Sequence, residues 1–100
     1  MSNPQVTLQT KDSVHARILE SYGNQVFSNG ALDRKTKLLI ALALDALSKS
    51  ESGVAALSKM AVDAGASEAE ILEAIQVAGY IGAVSTVFPA MCGLEKASSV

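Results

Sequence analysis

An all-α fold, a single small bundle of about five helices, is what this 100-residue sequence predicts, and three observations predict it. Apolar residues recur at three- and four-residue spacing in successive stretches, whereas nothing alternates with period two over a useful length. Hydrophobic residues make up 49% of the chain but aromatics only 4%, so the apolar content is mostly alanine, leucine, valine and isoleucine, which suits closely approaching helices better than a sandwich. Ser67-Glu68-Ala69-Glu70 carries the reciprocal pattern of a helix start, a hydroxyl for the third amide of the helix and a carboxylate reaching back.

Residues 1–10, with Pro4, Gln5, Thr7, Gln9 and Thr10, lack helical periodicity and are expected to form a flexible or extended arm ahead of a helical domain over 11–100. A first helix starts at Asp12 or Ser13: Val14, Ile18, Tyr22 and Val26 repeat every four residues, Leu19 and Phe27 widen the stripe, and Gly30 closes it. Asp33 caps a second helix, in which Leu38, Leu39, Ile40, Ala41, Leu42, Ala43, Leu44, Ala46 and Leu47 cover nearly every side; a helix apolar all round is expected at the buried centre. Residues 48–53 break the pattern, and Val54, Leu57, Met60, Ala61 and Ala64 then form a third stripe that stops at Gly65. The fourth helix follows the Ser67 cap and buries Ile71, Leu72, Ile75 and Ala78. Gly79 and Gly82 bracket Tyr80-Ile81, and Pro89 lacks an N–H, so a break or kink is expected within 79–89 before a last helix through Met91, Leu94 and Ala97.

Composition bounds the function. A helical chain this small has too little polar surface to cover so much apolar side chain, which points to subunit contacts and a homo-oligomer. The net charge is -2, and eight Lys and Arg residues lie scattered among ten acids with no basic stripe, so no nucleic-acid partner is expected. Residues 1–13 are polar and carry no secretory pattern, and the longest unbroken apolar run, 38–44, falls far below the roughly 20 residues of a membrane span. The expectation is a cytoplasmic protein with no membrane partner. A single cysteine, Cys92, rules out an intrachain disulfide and a dithiol cycle within one chain.

Three stretches, LDRKTKLLIALALDAL (32–47), DAGASEAEILEAI (63–75) and GYIGAV (79–84), in this order and spacing, resemble the carboxymuconolactone decarboxylase and alkylhydroperoxidase D-like family over roughly residues 13–96. The resemblance implies a small helical bundle that assembles into trimers or hexamers. In the peroxidase branch a Cys-x-x-Cys-x-x-x-His segment follows the central helix, and a glutamate near that helix's start completes a proton relay. The chemistry needs those types, because a thiolate attacks, a second thiol resolves it, and imidazole and carboxylate move the proton. Counted back from Gly65, the two cysteine positions fall on Ser50 and Gly53, the histidine on Leu57 and the glutamate on Leu38. The decarboxylase branch is more similar at Leu38 and in GYIGAV, yet it too implies a catalytic histidine at Leu57. No cysteine or histidine lies between His15 and Cys92, so no local shift of alignment restores the motif.

The remaining candidates each have a chemical and a plain reading. Asp45, seven positions after Leu38 on the same helix face, is either a relocated acid or base gated by Lys49 at i+4 or one half of an ordinary ion pair at the solvent edge of the helix. Ser50, Glu51 and Ser52 are candidate ligand contacts in the loop; the plain reading is a helix cap, with Ser52 suited to it. His15, at the margin of the first apolar stripe, is a candidate base or a packed or surface residue. Cys92 reads as a small buried hydrophobe or, in the minority reading, a reactive thiol. Tyr80 either offers its hydroxyl to a cavity or anchors the helix break. One histidine and one distant cysteine form no metal-ligand cluster, and no cofactor is expected. The function expected from all this is a family member without the redox dithiol: a non-catalytic helical oligomer binding a small molecule or a protein partner. The alternatives are an enzyme of decarboxylase or peroxidase type using His15, Asp45 or Cys92 as substitutes, and a structural assembly subunit.

Overall fold

In the computed structural model, which describes residues 3–98, five helices follow one another: α1 (Pro4–Lys11), α2 (Ser13–Val26), α3 (Arg34–Leu47), α4 (Glu51–Asp63) and α5 (Glu68–Ser98). Among the described residues there is no strand. The fold is all-α, and it divides into two compact units, residues 1–34 and 35–100.

In the first unit, residues 4–11 form a helix instead of the expected extended arm. Asn3 caps it, with Oδ1 accepting from the Gln5 N–H at 2.9 Å, and Pro4 fills the first turn, where its missing N–H costs nothing. Asp12 then serves two helices at once. Its N–H donates to the Leu8 carbonyl at 2.7 Å and ends α1, while its Oδ1 accepts from the His15 N–H at 3.1 Å and starts α2. Ala16 is the buried residue of α2. The helix ends at Val26, four residues before Gly30, because the chain finds closing partners earlier. Ser28 donates its hydroxyl to the Gln25 carbonyl at 2.6 Å, and the Asn29 Oδ1 accepts from the Arg34 N–H at 2.7 Å.

The second unit is built around α3. Leu38 and Leu42 are fully enclosed, joined in the core by Ala61 of α4, Ala66 of the following turn, and Ile71 and Ala78 of α5. Burying each leucine is worth about 2 kcal/mol. Yet Ile40, Leu44 and Leu47 on the same helix remain exposed, so an all-round apolar helix is buried on one face only within a single chain.

The break expected within 79–89 does not occur: α5 runs unbroken through Gly79, Gly82 and Pro89. Proline in a helix interior removes the bond to the fourth carbonyl back, here that of Ser85, and Ser85 is an exposed residue, where solvent can satisfy a freed carbonyl. Ser85 and Thr86 bond their hydroxyls to the Gly82 carbonyl at 3.1 and 2.8 Å. At Gly82 α5 lies against α3, where a Cβ would make an ordinary contact with Leu47 Cδ1 at 3.4 Å. As one continuous helix, α5 is long and apolar enough by length and composition to cross a membrane.

Candidate functional site at the junction of α3 and α4

The connection between α3 and α4 is three residues long, and it positions the one cluster of candidate residues that the fold brings together. Lys49 takes the left-handed conformation, φ 61°, which lets the Lys49 N–H reach the Ala46 carbonyl at 3.1 Å and the Ser50 N–H reach the Asp45 carbonyl at 2.9 Å. These two bonds are the double closure that ends many helices, usually with glycine in the left-handed place. Ser50 is at the same time the cap of α4, its Oγ accepting from the Gly53 N–H at 3.2 Å. The cap is thus Ser50 and not Ser52, which is exposed in the first turn of α4 together with Glu51.

So short a turn folds the end of α3 onto the start of α4, and Asp45 ends up over Gly53. A Cβ on Gly53 would collide with Asp45 Oδ2 and would lie 2.8 Å from both Asp45 Cγ and Ser50 Oγ. The space that a side chain at 53 would need is filled by the Asp45 carboxylate. A negative group at this point faces the amide end of α4, where the helix dipole favours it. Asp45 is half-buried, and among the described residues no ion pair joins it to Lys49, whose left-handed backbone carries its side chain away from the helix face that i+4 pairing requires. The plain reading of Asp45 as half of a surface ion pair is therefore corrected.

The other positions diverge. Leu38 is fully buried and Leu57 half-buried. Tyr80 is exposed. Cys92 is exposed, not buried, because it lies about 21 Å along α5 beyond Ala78, the last buried residue of that helix, at 1.5 Å per residue. His15, in the first unit, is exposed, with Nδ1 3.8 Å from Asp12 Oδ2. The neighbouring surface of α2, lined by Val14, Arg17, Ile18, Ser21, Tyr22 and Gln25, is an open face and not an enclosed pocket. Among the described residues no three His, Cys, Asp or Glu side chains converge as a metal site would require.

The junction between α4 and α5 supplies what sequence reading missed. Gly65, φ 99°, closes α4, with the Ala66 N–H on the Ala61 carbonyl at 2.8 Å. Ser67 and Glu70 exchange bonds as expected, Glu70 N–H to Ser67 Oγ at 3.1 Å and Ser67 N–H to Glu70 Oε1 at 2.9 Å. Lys35, at the start of α3, adds its ammonium to Glu70 Oε2 at 2.9 Å. The Ser67 N–H, followed by Lys35, holds the Glu70 carboxyl below its ordinary range. Nothing local marks Lys35 as a partner, since Glu70 lies 35 positions away.

Comparison with known proteins now decides the ancestry. The sequence model of the carboxymuconolactone decarboxylase family matches residues 15–93. The chain belongs to that family. Two solved structures share its fold. A protein from Methanobacterium thermoautotrophicum superposes with a TM-score of 0.81 at 27% identity, over 92% of this chain and 99% of that one. The apo form of a carboxymuconolactone decarboxylase family protein from Legionella pneumophila does so with a TM-score of 0.73 at 28% identity, over 90% and 80%. No functionally curated protein matches the chain.

Proposed function

We propose that this chain is a carboxymuconolactone decarboxylase family protein that has kept the scaffold and set aside the family's thiol chemistry, serving as a non-catalytic, cytoplasmic homo-oligomer, a trimer or hexamer, that binds a small molecule or a protein partner. The observation that carries this reading is the filled space at Gly53. By the resemblance, Ser50 and Gly53 stand where the dithiol would be, and the room for a thiol at 53 is taken by the Asp45 carboxylate. Neither Ser50 nor Asp45 has an imidazole within the junction to activate it, and a hydroxyl without a base is a weak nucleophile. Ser50 is moreover engaged as a helix cap.

The test is a peroxidase assay with a thiol reductant and a lactone decarboxylase assay on the wild type, Cys92→Ser, His15→Ala and Asp45→Asn. Background rates throughout are the expected result. Turnover that depends on Cys92, or a decarboxylase rate that falls tenfold or more on changing His15 or Asp45, the scale of general acid-base catalysis, would overturn the reading. Native mass spectrometry of the purified protein then reads the copurifying ligand and the subunit number together.

A further inference from the structure

We propose that Asn29-Gly30 is a self-modifying site, at which Asn29 of the folded protein loses its side-chain nitrogen as ammonia through a cyclic imide formed with Gly30, with water as co-reactant. The reaction needs the backbone nitrogen of the following residue as its nucleophile, and of the three asparagines in the chain the fold disarms two. Asn3 is followed by Pro4, which has no N–H to give up. Asn24 lies inside α2, where the next amide, that of Gln25, points along the helix axis and cannot turn toward the side chain. Asn29 lies in the connection 27–33 between α2 and α3, outside both helices, and it and Gly30 are exposed.

Three features of that connection favour the reaction. Gly30 has no Cβ to obstruct the approach of its nitrogen to Asn29 Cγ, and its backbone turns more freely than that of any other residue. The Gly30 N–H donates to the Leu32 carbonyl at 3.0 Å, a single bond within an exposed turn that water replaces at little cost. Asn29 Oδ1 already accepts from the Arg34 N–H, the first amide of α3, at 2.7 Å. Negative charge develops on that oxygen as the nitrogen attacks, so a donor in place, with the amide end of a helix behind it, stabilises the tetrahedral intermediate as an oxyanion hole does.

In the first step the Gly30 nitrogen yields its proton to water or hydroxide and bonds to Asn29 Cγ; the bond from Cγ to Nδ2 breaks, and Nδ2 takes up a proton and leaves as ammonia. Water then opens the imide at one of two carbons. Cleavage between Cγ and the nitrogen gives aspartate at position 29 with the backbone as before, whereas cleavage at the main-chain carbonyl gives isoaspartate, whose backbone runs through Cγ and is one methylene longer. In both cases the nitrogen regains a proton, and nothing is oxidised or reduced. Either product adds one negative charge to the -2 of the chain, placed beside the amide end of α3, where the helix dipole favours it. The aspartate form makes the bond from the Arg34 N–H a charge-assisted one, while the isoaspartate form lengthens the link that leads into α3.

The experiment is a time course of the full chain in mildly alkaline buffer, folded and in urea, followed by tryptic mapping of the peptide that carries both Asn24 and Asn29 and by enzymatic methylation of isoaspartate. Expected in the folded protein are conversion of Asn29 from amide to acid, an intact Asn24, and an acidic form on ion exchange that grows at the same rate. Gly30→Ala should slow the conversion at least about fivefold, because a Cβ removes the backbone freedom the imide needs. Arg34→Pro, at a first helical position that tolerates proline, takes away the donor to Oδ1 and should slow it severalfold, whereas Arg34→Ala keeps that N–H and should convert like the wild type. Circular dichroism of each variant confirms that the helices are retained. An Asn29 that stays intact in the folded chain while the chain in urea converts overturns the proposal, as does equal conversion of Asn24 and Asn29 in the folded protein. An unslowed Gly30→Ala overturns the imide route, and an unslowed Arg34→Pro overturns the part given to the amide of α3.

Discussion

The two junctions of the second unit are variations on one design, and the difference between them explains the residues at the candidate site. Ser50-Glu51-Ser52-Gly53 and Ser67-Glu68-Ala69-Glu70 both place a serine cap three residues before a position that, in the reciprocal pattern, holds a carboxylate. At the second junction the turn is one residue longer, so the Ser67 N–H has no closing bond to α4 and needs Glu70. At the first, Ser50 is both the last residue of the closure and the cap, and its N–H is already held by the Asp45 carbonyl. A glutamate at 53 has nothing to bond there, and the shorter turn presses Asp45 into the space it would use. Glycine at 53 thus has a structural reason of its own, beside any inherited one.

The comparison breaks first at the core both junctions share. Leu42→Ala should lower the stability of the second unit by about 3 kcal/mol, read by urea denaturation, with both junctions losing amide-exchange protection together. If only one junction opens, they are not supported in common. Next, Ser67→Ala should cost about 1–1.5 kcal/mol and Ser50→Ala about half as much, because the Ser67 hydroxyl is one half of a reciprocal exchange with Glu70, whereas the Ser50 N–H is held by a backbone carbonyl independently of the hydroxyl. Equal losses would mean the extra residue in the second turn does not matter.

A third change acts on the left-handed residues, glycine at one junction and lysine at the other. Lys49→Gly should raise stability by about 0.5–1 kcal/mol in thermal denaturation by removing the Cβ clash of that conformation. A loss instead would show that the lysine side chain holds something. Subtler still is Gly53→Ala, whose gain in helix propensity should be cancelled in the wild type by displacement of Asp45 and Ser50 but appear in an Asp45→Ala background. The double-mutant cycle is expected to yield a coupling of about 0.5 kcal/mol, and additivity would remove the contact from the account. The smallest effect is in pH. Glu70 has its carboxyl held below the ordinary value near 4.5 when folded, so it binds a proton less readily folded than unfolded. Its contribution is present above pH 4.5 and fades as pH falls through the lowered value. Glu70→Gln should therefore flatten the acid limb of the melting temperature against pH; an unchanged limb would discount the Lys35 and Ser67 bonds.

What was legible in the sequence was what neighbours along the chain decide. The Ser67 to Glu70 exchange, the stop at Gly65 and the helix over 34–47 each depend on residues within one or two turns. The helix over 4–11 has a local signal too, in Asn3-Pro4, a cap followed by a first-turn proline, but it has no buried face and so generates no apolar periodicity. Pro89 misled in the other direction, since its cost is one hydrogen bond, and only the helix's exposure there reveals that solvent can meet it. Lys35 beside Glu70 and Asp45 over Gly53 are consequences of how the helices fold back. No local pattern encodes them, although Asp45 stood out as a carboxylate in an otherwise apolar helix. Cys92 read as buried because its neighbours are apolar; the helix that carries it simply outruns the unit it belongs to.

Asp12 fastens the end of one helix and the beginning of the next with a single residue. Shortening this protein from its amino end therefore turns on whether Asp12 is kept. A chain starting at Lys11 sheds α1 and keeps the carboxylate that opens α2, whereas starting one residue after Asp12 leaves the first amides of α2 bare, and any loss of folding would be blamed on the wrong helix.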